Sequence, residues 1–310
     1  MAFFVMLNQV FVLFILMAVG YFAIKFGMID ENGVRQITTI LCYIVSPCII
    51  IFAFQMQYTT SLMTGFFIAT ASSVGIHLFA AIISRFIYNK KTVKDKDTRN
   101  IMKFATVYAN CGFMGYPLLQ AVAGTTGLFY GSAFGGVFNL FSWSHGMTLF
   151  NGKTDKKSLL KVLINPNILA VLAGIIMFRF SLKFPLPAYN ALKYISDLNT
   201  PLSMIIIGTS ISRIPLRSIF SERLGWIIVF MRNLAVPFCL MFALHNLGIS
   251  GQLLLCCVIP AACPVAGATV LFANLVGKES KLPAKLVTLS TIMSLFTVPA
   301  VIYAISILKF

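Results

Sequence analysis

Three stretches of this chain run without a single Lys, Arg, Asp or Glu for longer than a water-soluble fold tolerates. Residues 36–84 and 104–152 are free of these charges over 49 positions each, and residues 233–277 over 45. A helix crossing the hydrocarbon core of a bilayer needs about 20 apolar residues, so each window holds more than one crossing. Turn-forming residues mark where the chain reverses inside them: Gln55–Ser61 (QMQYTTS), Gly124–Gly127 (GTTG) and Asn246–Gln252 (NLGISGQ).

Composition agrees with the windows. Of 310 residues, 59% are hydrophobic and only 10% charged, against about 25% charged in a typical soluble domain. The longest polar stretch, Asn89 to Thr98, is too short for a separate soluble domain. A net charge of +16 would suit nucleic acid, but the basic residues lie in short loops between apolar segments, where insertion bias and anionic lipid account for them. No nucleic-acid partner is expected. All seven cysteines (Cys42, Cys48, Cys111, Cys239, Cys256, Cys257 and Cys263) fall in apolar stretches and form no zinc-like set, so they read as free buried thiols. The first residues lack a basic flank and a small-residue cleavage site, which predicts a first span there, not a removed leader.

The pattern predicts ten spans, at 3–25, 34–56, 62–88, 100–122, 127–150, 162–180, 194–212, 222–245, 252–276 and 285–308. Placing both termini on the outer side of the cell membrane puts 19 basic residues in inner loops and four (Arg179, Lys183, Lys193, Lys309) outside. That bias is the expected positive-inside signature. The loop after span six, with Pro185 and Pro187, is expected to hold a short interfacial stretch.

Spans four and nine are unusual. Ala109–Pro117 reads ANCGFMGYP, and Val258–Gly267 reads VIPAACPVAG. Proline removes a helix donor and clashes with the preceding turn, and nearby glycines let the backbone open. Pro117 and Pro264 are 147 residues apart, so each break falls in the fourth span of a five-span half. An odd number of crossings per half predicts an inverted repeat, 1–152 and 153–310. Paired breaks at corresponding positions point to a transporter's substrate site.

With these motifs in view, the chain resembles the auxin efflux carrier family of secondary transporters, which includes plant PIN-type carriers and bacterial malate and malonate permeases. The likeness is carried by NCGFMGYPLL (110–119), NPNILAVLAG (165–174), ISDLNTPLSMIIIGTSIS (195–212), MRNLAVP (231–237), IPAACPVAGATVLFA (259–273) and LSTIMSLFTVP (289–299). It implies an all-α, ten-helix membrane protein of two inverted five-helix repeats with broken crossover helices four and nine. Spans 3–5 and 8–10 would form a moving transport domain. Spans 1, 2, 6 and 7 would form a scaffold that pairs two copies, with transport of elevator type. The short connection 151–161 differs from the long loop of many plant members and points toward an organic-acid permease.

The implied substrate is a small organic anion, a mono- or dicarboxylate. Crossover residues of the family map onto Asn110, Pro117 and Pro264, and Gly115 between them is a further candidate for substrate binding. Asn139 in span five could face the same cavity or make an interhelical hydrogen bond. Arg232 lies ten residues past Glu222, about 15 Å into the bilayer at the helical rise. It either lends positive potential to the anion, or ties down a carbonyl or Asp197, or snorkels toward the interface. Asp197, at the expected start of span seven, and His77, in mid-span three, are the candidates for coupling or gating, each with a structural alternative. Gly131 and Gly135 read as a close-packing pair. No resident cofactor or metal is expected; a coupling proton or sodium ion is.

Rival readings are fewer. No HExxH, GxSxG or paired intramembrane aspartate supports an enzyme. A channel fits two inverted halves less well than alternating access does. A sodium-coupled symporter of the bile-acid type, and an exporter of aromatic carboxylates like auxin, stay as alternatives.

Overall fold

A computed structural model describes residues 2–152 and 164–307, and among these it is helical with no strand. Lys153, Lys156, Lys157, Lys161 and Lys309, used above for orientation, lie outside the described residues, as does the expected start of the second half. The helices are α1 (Ala2–Lys25), α2 (Glu31–Ala53), α3 (Thr60–Ile87), α4 (Lys96–Val107) and α5 (Tyr116–Phe141), which runs on through Ser142–Gly146 to Met147–Asn151. Then come α6 (Pro166–Arg179), α7 (Leu186–Asp197), α8 (Asn199–Ser212), α9 (Leu216–Phe220), α10 (Arg223–Asn246), α11 (Gly251–Ala262), α12 (Ala268–Leu275) and α13 (Lys281–Ile307).

α1, α2, α3, α10 and α13 are long and apolar enough to cross a membrane, and α6 and α11 are shorter apolar helices. Phe11, Ile15, Phe22, Phe67, Phe230 and Phe296 are more than half exposed on them. In water such side chains would be a liability; against lipid they are the expected exterior of a multi-pass membrane protein. Helix ends are set locally. Asp30, Thr59, Asp95 and Asn165 each cap a following helix with a side-chain oxygen. At α4 the Thr98 N–H donates to the Asp95 carboxylate at 2.6 Å, which holds that carboxyl below its usual range. The reversal expected at Gly124–Gly127 occurs at Gly124, whose φ of 56° is open to glycine and strained for other residues.

Four turns of π-helix occur among the described residues, and three of them end just before a proline. Leu41–Val45 precedes Pro47, Cys111–Gly115 precedes Pro117, and Val229–Ala235 precedes Pro237. A proline has no N–H to offer the preceding turn, and its ring crowds the carbonyl four residues back; one extra residue in that turn relieves both. These prolines therefore widen their helices without ending them.

The span predicted at 194–212 starts later, because α7 is a separate helix that ends at Asp197 and α8 begins at Asn199. Pro201 is tolerated there, within the first turn of α8. Pro187 stands in the first turn of α7, which leaves the short stretch foreseen after span six as a helix of its own.

α1 and α8 pack along most of their length. The contact is backbone on backbone: a Cβ placed on Gly208 would overlap the Met17 carbonyl, and one on Gly20 would overlap that of Ile205. Lipid supplies no hydrophobic push between helices, so close approach of this kind is what joins them. Gly131 and Gly135 do similar work, against the side chains of Leu119 and Tyr116. Gly208→Ala is expected to force α1 and α8 apart and lower stability by about 3 kcal/mol, read as a fall in the thermal midpoint in detergent. Gly75→Ala, where a Cβ meets nothing within 4 Å, is the control and should leave the midpoint unchanged.

Candidate functional site

The two interruptions foreseen in spans four and nine meet in space. Ala109 and Val265 form an antiparallel bridge, the only isolated one among the described residues. The Asn110 N–H donates to the Pro264 carbonyl at 2.7 Å, and the Ala266 N–H to the Tyr108 carbonyl at 3.0 Å. All these residues are buried. Backbone can leave the helix at membrane depth only where protein or water takes up its polar groups, and here each chain takes up the other's. The Val265 N–H is met from a third direction, by the Ser290 hydroxyl of α13 at 3.1 Å.

The carbonyls released where α4 and α11 end are held by one side chain. Arg232 donates to Thr106 at 3.1 Å, to Val107 at 3.0 Å and to Ala261. Two helix C-termini, each with partial negative charge, thus converge on one guanidinium. Arg232 is 2% exposed, its Nε has no partner, and it makes no ion pair among the described residues. Next to it, Asn233 donates to the Ser290 carbonyl at 2.9 Å and to the Thr297 hydroxyl at 3.2 Å, fixing α10 to α13.

On the other side of the bridge, where the second halves of the broken segments begin, lies a cavity of about 70 Å³. That is room for a few waters. Its polar lining is Asn110, Gly267, Ser210, Thr288 and Thr291; its apolar lining is Phe113, Ile206, Ile207, Ile211 and Val287. Neither the Asn110 amide nor the Thr288 hydroxyl has a hydrogen-bond partner among the described residues, whereas Thr291 donates to Val287 at 2.8 Å and Ser210 to Ile206 at 3.1 Å. The lining holds no charged side chain. What it offers is the free amides of two helix starts, a carboxamide and three hydroxyls, a set suited to an anion's oxygens.

The profile of a family of membrane transport proteins matches residues 5–302. The chain belongs to this family, that of the auxin efflux carriers. It is also similar to an uncharacterized transporter of Methanocaldococcus jannaschii, 27% identical over 301 residues, which cover 94% of this chain and 96% of the relative.

In this transporter the residues singled out from sequence separate into those at the cavity and those that frame it. Asn110 lines the cavity, and Pro264 binds Asn110 through its carbonyl. Gly115 packs against Cys263 and Pro260, and Pro117 is buried in the first turn of α5, after the break and not in it. Asn139 does not reach the cavity: it donates to the Gly135 carbonyl at 2.8 Å and accepts from Asn165 at 3.5 Å. Arg232 takes the structural alternative, on carbonyls and not on Asp197. Asp197 closes α7 and does not open a span; it pairs with Lys193 at 2.8 Å on the exposed surface. His77 is enclosed by Tyr108, Phe134 and Phe141, with Nδ1 2.7 Å from the Ser73 carbonyl and Nε2 unpartnered among the described residues.

Thr288, Thr291, Ser210 and Gly267 were missed. A search led by charges and prolines passes over hydroxyls in apolar helices, although the clusters GTSIS (208–212) and TLST (288–291) are visible in the sequence.

Arg232→Gln brings two N–H donors on one nitrogen, so it reaches the carbonyls of one helix end and leaves the other end unmet. Unpaired buried carbonyls cost roughly 1–3 kcal/mol each, so the variant should lose about 1–3 kcal/mol of stability, measured by thermal unfolding. A variant with full stability but weakened anion binding would instead assign Arg232 a direct role.

Proposed function

We propose that this transporter is a secondary carrier of a small organic anion, and that the anion's carboxylate binds at the cavity between Asn110 and Gly267. The observation that carries the reading is the Asn110 amide, buried and unpartnered among the described residues, beside two helix starts in an uncharged, partly open cavity. Neutral donors hold a carboxylate without trapping it, as a carrier requires. The aliphatic wall of Ile206, Ile207, Ile211 and Val287 favours one carboxylate on a short apolar body over a second charge in the same place.

The proposal extends to architecture. Ten crossings in two inverted halves, both termini outside the cell membrane, are supported by the matching breaks and by the distribution of basic residues. In that arrangement α8 belongs to the scaffold, and the broken segments with α13 to a transport domain that moves past it in an elevator stroke. A pair of copies joined through scaffold helices is part of the same reading. The threonine oxygens of α13 favour a second reading, in which sodium binds beside the anion.

Counterflow in liposomes tests the substrate class. With labelled malate, malonate, other short carboxylates and indole acetate, at least one is expected to exchange, monocarboxylates ahead of dicarboxylates. Asn110→Ala and Thr288→Val should each cut exchange about tenfold, the loss of roughly one hydrogen bond to a charged group. Repeating the assay with and without a sodium or pH gradient identifies the coupling ion. Correctly folded protein that exchanges none of these anions would sink the proposal.

A further inference from the structure

One face of α8 is polar where most of the helix is aliphatic. Asn199, Ser203, Ile206 and Ser210 recur at helical spacing and so share that face. Ile206 and Ser210 border the cavity. Ser203 donates at 3.0 Å to the carbonyl of Phe113, in the π turn that follows the first break. Asn199 lies one turn further along. It is 1% exposed, and among the described residues neither its amide nitrogen nor its amide oxygen has a partner. A buried carboxamide with both ends unmet destabilises the arrangement that contains it, so this one calls for a partner that the present arrangement lacks.

Two further observations suggest which partner. Ser203 has a second acceptor, the Thr200 carbonyl at 3.1 Å. It can therefore release Phe113 and keep a hydrogen bond. α8 cannot easily follow a departing neighbour, because its backbone is seated on α1 at Gly208 and Gly20. The result is a fixed helix with two polar positions one turn apart, the first occupied by the broken segment and the second empty. Packed elements commonly step past each other by one turn, because interdigitated side chains have no stable intermediate register.

We infer that Asn199 is the second docking position of the broken segment: in the alternate state of the transporter the Phe113 carbonyl leaves Ser203 and is met by the Asn199 amide. The step is four residues along α8, about 6 Å at the helical rise. In the new position Asn199 donates to the Phe113 carbonyl and accepts from a first-turn N–H of the π segment. The inference rests on the carrier reading only in requiring that the broken segment move. Asn199 is a positioning residue; it touches no substrate.

Asn199→Leu tests this. A near-isosteric apolar side chain removes an unmet amide from the state described here, so the thermal midpoint in detergent should stay level or rise. The alternate state loses its dock, so turnover in counterflow should fall at least tenfold. A second readout needs no substrate: Ser210→Cys, with the seven native cysteines replaced, reacted with a membrane-impermeant maleimide. Asn199→Leu should shift labelling at position 210 at least threefold, as one state is favoured over the other. If the leucine variant does not fold, Asn199→Ala is read by turnover and labelling alone. Unchanged turnover and labelling would overturn the inference, as would a midpoint that falls together with turnover, because that would mark a partner already engaged. Labelling that shifts in a protein exchanging none of the anions would remove the substrate class and keep the docking position. Normal exchange that is indifferent to residue 199 would do the reverse.

Discussion

A lipid-immersed chain has to satisfy every backbone polar group from within, and the centre of this protein is where that demand is hardest to meet. Two helices stop in mid-course, which releases donors on one side and acceptors on the other. The donors at the bridge itself, on Asn110, Val265 and Ala266, are answered by the partner segment and by Ser290. The acceptors are answered by Arg232, which gathers carbonyls from both helix ends. Remove either answer and the breaks lose their reason to sit together; with both in place, the helix starts beyond the bridge are free to face a ligand. The cavity thus exists because the carbonyl ends are neutralised elsewhere, by a residue that never touches it.

Much of this was legible in the sequence. The long charge-free windows, the prolines and the glycines located helices and both breaks, since these follow from local chemistry and from the cost of charge in hydrocarbon. Asn110 was legible for the same reason, as a carboxamide inside an interrupted helix. The boundary at Asp197 was not: Asp197, Asn199 and Thr200 can sit within a helix as well as at its end, so nothing local shows that α7 ends at Asp197 and α8 begins at Asn199, with a proline that either arrangement would tolerate. The partners of Asn139 and Arg232 were not legible either, because whether a buried polar group meets a ligand or a carbonyl depends on which helices cross, and crossings are tertiary. Thr288, Thr291 and Ser210 were hidden because hydroxyls in apolar helices usually bond to their own backbone, as Ser212 and Ser294 do.

The neutral lining and the cationic frame divide two tasks that a single arginine in the cavity would merge. A guanidinium in contact with a carboxylate binds strongly and releases slowly. A guanidinium one layer away, already occupied by carbonyls, contributes potential and no bond. In the proposed carrier, hydroxyls and a carboxamide would make the contacts, each weak enough to exchange with water when the cavity opens.

Arg232 has no formal counter-charge among the described residues, and that has an electrical consequence. Within the proposed carrier, the broken segments would take that cation along with them. With a monoanion aboard, the charge within the barrier sums to zero and the loaded step is blind to the membrane voltage. The empty carrier returns as a cation, and a voltage of 100 mV acts on such a unit charge with about 2.3 kcal/mol over the full field. The potential of the cell would then set the pace of the return stroke and leave the delivery stroke alone.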